Sequence, residues 1–527
     1  MGEQLLRRLN FQRQVFEDRA NSAATIPNLA LLTLALLTAS AAGKLAAASL
    51  TDLTADETYA TVIGRSFALS YFDHPPLHQW IVHAFTACFG EGWQVRLPFL
   101  FMAEALNVPL YGLTGRLFGR NAALWALFGF NTTAYFTVWP DGLIMPDVPL
   151  FLFLTAGVWA VAEILFGPPS GKSRLWALWL AAGVAFGFAG LAKYSAIFVP
   201  VGLFGFLCGS SAHRHWLWRP QPYLAAALAL AIFSPVLIWN AQNNWVSFAF
   251  QSGRASGGPS LGLAAFKHFA EALGAQVALL SPWACLPLVL ALKDAVKSRD
   301  AGSAQRFLLW LVAVPLLLFS SLPFVGRTSI PHWFNSAWLF AFPLLGLWLE
   351  RQSAKWLRSW AAPSAALTAL TFVLFTAYLI EGPLWRAANA SPRELALQSF
   401  DLQTLGTGSS RPSFVVVDVW SIGGKVGAIL GPEVPVCTFS QDPREFAFLC
   451  SSKALLGQDA LIVLPKERTE KDLAKLAPYF EHLDARPSQE IEVASDWGLR
   501  RTVTLTRAHV LLRPYSSPYG NDAKPAS

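Results

Sequence analysis

Apolar residues in this chain gather in long runs instead of alternating with polar ones. From Pro27 to about Ile380 the runs recur at short intervals, each near the ~20 residues that an α-helix needs to cross a bilayer. The pattern predicts about eleven spanning helices, over 27–45, 97–117, 122–138, 148–166, 175–191, 196–208, 223–239, 269–292, 307–322, 333–349 and 362–380. One connection is far longer than the rest. Residues 49–95 mix polar and apolar positions and predict a large external loop with one or two amphipathic helices on the membrane surface. Beyond Glu381 the pattern changes. Residues 413–419, 460–464 and 502–506 are rich in Val, Leu and Thr and read as strands, while 466–479 has helical spacing. A soluble α/β domain is expected over 381–515, followed by a disordered tail over 516–527. The predicted fold class is therefore mostly α, a polytopic bundle over 27–380 with an extracytoplasmic α/β domain.

Charge then orients the bundle. Arg7, Arg8, Arg13 and Arg19 crowd residues 1–26, and the excess of basic residues in cytoplasmic loops predicts an N-terminus inside. Under that orientation Arg116 and Arg120, Lys172 and Arg174, Arg214 and Arg219, Lys293 and Lys297, and Arg351 and Lys355 all fall inside. The exceptions are single residues on the outer side: Lys44, Arg65, Arg96, Lys193, Arg254, Lys267 and Arg327. An odd number of crossings puts the C-terminal domain outside. No short apolar core followed by a small-residue cleavage site is evident, so the first run is expected to be retained.

Composition agrees. Only 14% of residues are charged and 54% are hydrophobic, with a mean hydropathy of +0.40, whereas soluble domains have about 25% charged residues. The net charge of +7 lies mostly in short inter-span loops and does not call for nucleic acid. Of five cysteines, Cys437 and Cys450 fall in the outer domain, where an oxidising compartment would let them pair. Burial as free thiols, alongside Cys88, Cys208 and Cys285, is the other reading.

Candidate chemistry collects on the outer side. Asp56 and Glu57 are adjacent carboxylates just beyond the first span, suited to a general base or a divalent ion, or to a helix start with Asp56 as N-cap. Asp73-His74-Pro75-Pro76 places an acid and an imidazole before a helix opened by proline. Asp141 and Asp147, Lys193 and Tyr194, Gln251 and Arg254, and Arg327 and His332 lie at the outer ends of spans. A cation on that side suits an anion at headgroup level, although snorkelling serves Lys193 and an ion pair with Asp141 or Asp147 serves Arg254. A transporter or flippase is the rival class. Its usual internal repeats and midplane polar residues are not evident, so an enzyme acting on a lipid-anchored substrate is favoured.

Eight segments in order carry a resemblance: ADETYA (55–60), YFDHPPLHQW (71–80), VRLPFLF (95–101), GRLFGR (115–120), MPDVPLFLF (145–153), GLAKYSA (190–196), SPVLIWNAQNNWVSFAFQSGR (234–254) and PHW (331–333). Together they resemble the membrane glycosyltransferases of the GT-C fold, family 39 in the broad bacterial sense. That group holds protein O-mannosyltransferase-like enzymes, the lipid A aminoarabinose transferase and the rhizobial galacturonic acid transferases. The resemblance implies a polyprenyl-phosphate sugar donor, an envelope acceptor such as lipid A or another lipopolysaccharide or cell-envelope glycan, and transfer on the periplasmic side of the inner membrane. Asp56 falls on the family's acidic position, as base or metal-proximal carboxylate, with Glu57 beside it. Lys193, Arg254 and Arg327 are expected near the donor phosphate. Asp73, His74, Asp147, Tyr194 and His332 are expected near the substrate, or near a divalent metal held by Asp56 and Asp73. Where the aminoarabinose enzyme looks like Glu-Lys-Pro-Pro, this chain reads Asp73-His74-Pro75-Pro76, keeping the acid and exchanging Lys for His.

Overall fold

Every predicted apolar run folds as helix, but not every run is one straight rod. The computed structural model describes residues 29–51, 53–138, 144–255, 262–297, 303–325, 330–381, 412–465, 469–484, 489–494 and 500–519. Among these, seven helices are long and apolar enough to cross a bilayer: Leu29–Leu50, Trp93–Phe118, Asp147–Phe166, Lys172–Ala192, Pro220–Gln242, Ala304–Val325 and Ala354–Ala377. The predicted span 269–292 is instead two helices, Leu263–Leu279 and Pro282–Val296, bent by 109°; counted together they make an eighth. Run 196–208 lies in the shorter helical stretch Tyr194–Gly209. Run 122–138 divides into Arg120–Asn131 and Ala134–Val138, and run 333–349 into Asn335–Leu339 and Phe342–Glu350. The N-terminal arginines, Asp141, Arg327 and residues 520–527 lie outside the described residues, as does the side chain of Arg254.

The breaks have identifiable causes. At the sharp bend Ser281 has φ +66° and Pro282 opens the next helix, where its missing N–H costs nothing. A broken helix inside an apolar bundle must give its freed backbone groups new partners. Here the two breaks serve each other. The N–H of Ala134 donates to Ser281 Oγ at 2.8 Å, and the carbonyl of Thr132 accepts from Trp283 Nε1 at 2.8 Å and Thr368 Oγ1 at 2.7 Å. Close packing elsewhere needs small residues: a Cβ on Gly346 would meet the carbonyl oxygen of Ala122 at 2.1 Å.

The C-terminal unit is a mixed sheet of six strands: β1 (Phe414–Val417), β2 (Val436–Thr438), β3 (Ala460–Pro465), β4 (Phe480–Leu483), β5 (Gln489–Ala494) and β6 (Arg500–Leu511). The order is β2-β1-β3-β6-β4, with β5 also on β6. β1 pairs in parallel with β2 and β3, and β6 runs antiparallel to its neighbours. Parallel strands are covered on both faces, which is why β1 reads as an unbroken apolar run, FVVV. Phe414 and Val416 face a core containing Cys437, Ile462 and Phe480. Val415 and Val417 face the Trp420–Leu430 helix, and that core continues into Tyr59, Val62 and Ile63 of the first external loop. Cys437 and Cys450 form a disulfide.

That continuation corrects the expectation of helices lying on a membrane surface. The Ala55–Gly64 helix is buried from Glu57 to Gly64, between the Trp420–Leu430 helix and the Leu77–Phe89 helix. A Cβ on Gly424 would stand 2.6 Å from the backbone nitrogen of Tyr59, and one on Gly64 would stand 2.7 Å from Val82. Its apolar residues surround it, so one apolar neighbour is not enough.

Three of the basic residues expected on the outer side have carboxylate partners. Lys44 meets Glu104 at 3.0 Å, and Arg65 grips Glu91 with two bonds of 2.6 and 2.7 Å. Arg96, 2% exposed, reaches Glu57, 0% exposed, through two 2.7 Å bonds. The same guanidinium donates to the carbonyls of Ala48 and Thr51, tying the loop to the end of the first span. Breaking a buried pair from one side leaves a bare charge, which costs about 3–5 kcal/mol. Arg96→Met is therefore expected to lower the melting temperature in detergent sharply, with partial recovery when Glu57→Gln is added. A melting curve like that of the wild type would contradict this role.

Candidate active site

The Ala55–Gly64 helix opens with a capping box. Thr54 Oγ1 accepts from the N–H of Glu57 and Glu57 Oε2 accepts from the N–H of Thr54, so the N-cap is Thr54 and not Asp56. This arrangement separates the two adjacent carboxylates. Glu57 turns inward to Arg96 and the cap and is fully buried. Asp56 stays exposed and lines a cleft of about 490 Å³ with Tyr59, Tyr71, Asp73, His74, His78 and Arg444.

Asp73 lies deeper, 5% exposed. Its Oδ2 accepts from the hydroxyl of Tyr59, and its Oδ1 stands 3.4 Å from Arg444. The side chain of Gln251 donates to its backbone carbonyl at 2.5 Å. The Tyr59 hydroxyl in turn accepts from the N–H of Glu445 at 3.0 Å, and Glu445 Oε2 accepts from the N–H of Phe72 at 2.6 Å. The first loop and the sheet domain thus share one buried polar network, in which Glu445 is 3% exposed. Burial holds its carboxyl well above the usual range, and the charge of Asp73 adds to this. The same burial raises Tyr59. Burial thus favours the neutral form of both groups.

The other expected site residues divide. His74 lines the cleft. Asp147 and Lys193 do not; they grip each other at 2.7 and 2.9 Å, 4% and 12% exposed at their side chains. Both are close enough to influence His78, so the pair lies behind the cleft wall and Lys193 is already compensated. Tyr194 bonds Ser247 at 2.7 Å and borders a separate apolar groove of about 1590 Å³ between the Lys172–Ala192, Phe198–Gly209 and Pro220–Gln242 helices. His332, on the Pro331–Phe334 turn, does not line the cleft. Among the described residues no three His, Cys, Asp or Glu side chains gather as a metal site.

Sequence reasoning missed Arg444, Glu445 and Trp420. They come from the domain that carried no motif, about 370 residues from their partners, and the sequence holds only one hint. That hint is the spacing of Cys437 and Cys450, which brackets the segment bearing Arg444 and Glu445.

Comparison with known proteins fits this geometry. Residues 73–239 match the family model described as dolichyl-phosphate-mannose-protein mannosyltransferase. The lipid A galacturonosyltransferase RgtD of Rhizobium johnstonii is 25% identical over 308 residues, which are 57% of this chain and 61% of that protein. The chain thus spans less than two thirds of that relative's length. ArnT from Cupriavidus metallidurans superposes with a TM-score of 0.62 at 16% identity, over 90% of this chain and 97% of ArnT in the apo state. The form bound to undecaprenyl phosphate gives 0.62 and 16% again, over 91% and 98%. The resemblance to GT-C membrane glycosyltransferases drawn from the eight segments is borne out, and the chain has the fold of ArnT. It is a multi-pass membrane protein.

Burial lowers the pKa of His78 to about 4, against about 6.5 for a free imidazole. Above pH 6.5 neither the folded nor the unfolded chain protonates it. As pH falls from 6.5 towards 4 the unfolded chain takes up a proton that the folded chain refuses, so stability drops by up to about 1.4 kcal/mol per pH unit. His78→Gln is expected to flatten this part of the stability–pH curve. An equally steep fall in the variant would contradict the assignment.

Proposed function

We propose that this chain is a glycosyltransferase that moves a sugar from a polyprenyl-phosphate carrier to a hydroxyl of a cell-envelope glycan or lipid, at a cleft facing the periplasm. The observation that carries the reading is the position of Asp56. It is an exposed carboxylate on a buried, doubly clamped helix, lining a cleft at the end of the bundle where Asp147 and Lys193 also stand. The likeness to a lipid A galacturonosyltransferase and to ArnT supports both the reaction class and a lipid-linked donor.

The chemistry needs three things from the protein. An acceptor hydroxyl must lose its proton as its oxygen bonds to the anomeric carbon, and Asp56 is placed to receive it. The bond from the anomeric carbon to the phosphate oxygen breaks as the new one forms, so attack opposite the phosphate inverts the centre. The departing lipid phosphate gains negative charge and has to meet fixed positive charge. The apolar groove below Tyr194 has room for an isoprenoid tail, lined by Trp179, Phe186, Leu203, Leu230 and Phe233. Tyr194 stands at its polar end, within reach of Ser70 in the first loop as well as Ser247.

Asp56→Asn is expected to reduce transfer from a labelled polyprenyl-phosphate sugar by about a hundredfold or more. The melting temperature should not change, because Asp56 is exposed. Full transfer by this variant removes the base. A wild-type protein that transfers no sugar yet moves lipid-linked sugars between leaflets of a vesicle would replace the enzyme with a flippase.

A further inference from the structure

Four basic residues around the first loop hold short ion pairs, and Arg444 differs from them. Lys44, Arg65, Arg96 and Lys193 each hold a carboxylate at 2.6–3.0 Å, a distance at which charge-assisted bonds are fully formed. Arg444 does not. Its nearest carboxylate oxygens stand at 3.4 Å on Asp73 and 3.6 Å on Asp442, and its buried Nε makes no hydrogen bond among the described residues. It nevertheless lines the cleft beside Asp56, Asp73 and His74.

The side chain is held in place by means other than its ion pairs. The guanidinium lies over the ring of Trp420 at 4.2 Å, with Phe250 at 5.9 Å, a stack that leaves the donor edge of Arg open. The backbone of Arg444 has φ +49°, in the left-handed region that non-glycine residues seldom occupy. Two features secure it there. The Cys437–Cys450 disulfide closes the segment, and Glu445 locks the next residue to Phe72 and Tyr59. A pre-positioned fork with loosely held counter-ions, in a cleft whose other charges are the carboxylates of Asp56 and Asp73, suits a planar or tetrahedral oxyanion. Without it those carboxylates would repel any anionic substrate.

We propose that Arg444 of the sheet domain binds a phosphate group of a lipid-linked substrate, with Asp73 as its counter-ion when the cleft is empty. This rests on the glycosyltransferase reading above and extends it, because it makes the sheet domain part of the site. The phosphate belongs either to the polyprenyl carrier or to a phosphorylated glycolipid acceptor, and the same bidentate chemistry serves both.

The test measures binding separately from transfer. Purified full-length protein in detergent is titrated with undecaprenyl phosphate, with undecaprenol, and with lipid A before and after removal of its phosphates. The wild type should prefer the phosphorylated form of at least one lipid. Arg444→Gln should weaken binding of that form by about tenfold to a hundredfold, the usual range for a charge-assisted pair, and leave the dephosphorylated form unchanged. Arg444→Lys, which keeps charge without the fork, should fall between them and serves in its place if Arg444→Gln does not fold. Selective loss with undecaprenyl phosphate assigns the carrier, and selective loss with lipid A assigns the acceptor. A folded Arg444→Gln protein that binds both phosphorylated lipids as tightly as the wild type overturns the proposal and leaves the transferase reading standing. A wild type with no preference for phosphate on either lipid removes both.

Discussion

The candidate site depends on one buried junction, the hydroxyl of Tyr59 between the side chain of Asp73 and the backbone of Glu445. Polar groups taken out of water must find partners, and hydrogen bonds that run between elements fix how those elements meet. Here the members come from the Ala55–Gly64 helix, the stretch before the Leu77–Phe89 helix, and the sheet domain. The apolar part of the same contact, Val62 and Ile63 against Ile422 and Val426, supplies burial, while the hydroxyl sets the register. As a result Asp56 points from a helix that cannot shift into a cleft whose far wall belongs to a different domain.

Charge pairing separates scaffold from site. Glu57 with Arg96 and Asp147 with Lys193 are closed pairs with short bonds and little exposure, and such pairs hold geometry more than they do chemistry. Asp56 is exposed, Arg444 meets Asp73 and Asp442 only at 3.4 and 3.6 Å, and both side chains line the cleft. The candidate site is therefore marked by the charges that reach the cleft, and not by the density of acidic or basic residues.

Much of this was legible in the residues and some was not, for physical reasons. Bilayer-length apolar runs give spanning helices because the hydrocarbon core leaves few alternatives, and those at 29–50, 147–166 and 220–242 were readable to within a few residues. The bend at Ser281 was not, because it depends on Ala134 meeting Ser281 and Thr132 meeting Trp283 across the bundle. FVVV and ALIVLP announced their strands, whereas the path of the sheet did not follow from them. Asp56, Asp73 and His74, expected at the site from local spacing and the family likeness, line one cleft. The pairing of Glu57 with Arg96, 39 residues away, and of Lys193 with Asp147 was not legible, because adjacency in sequence says nothing of either contact. Arg444 and Glu445 carry no local pattern at all, since their meaning comes only from what faces them. Arg254 and Arg327 lie where the structure says nothing of their side chains.

The central claim is that sugar transfer occurs where the first loop meets the sheet domain. The most direct measurement is an experimental structure of the wild-type protein with a non-hydrolysable polyprenyl-phosphate sugar bound. The account predicts the sugar in the cleft, with its anomeric carbon facing Asp56 across a space sized for an acceptor hydroxyl and the lipid chain running towards Tyr194. A head group seated elsewhere on the bundle, with Asp56 turned to solvent and the cleft empty, would contradict it.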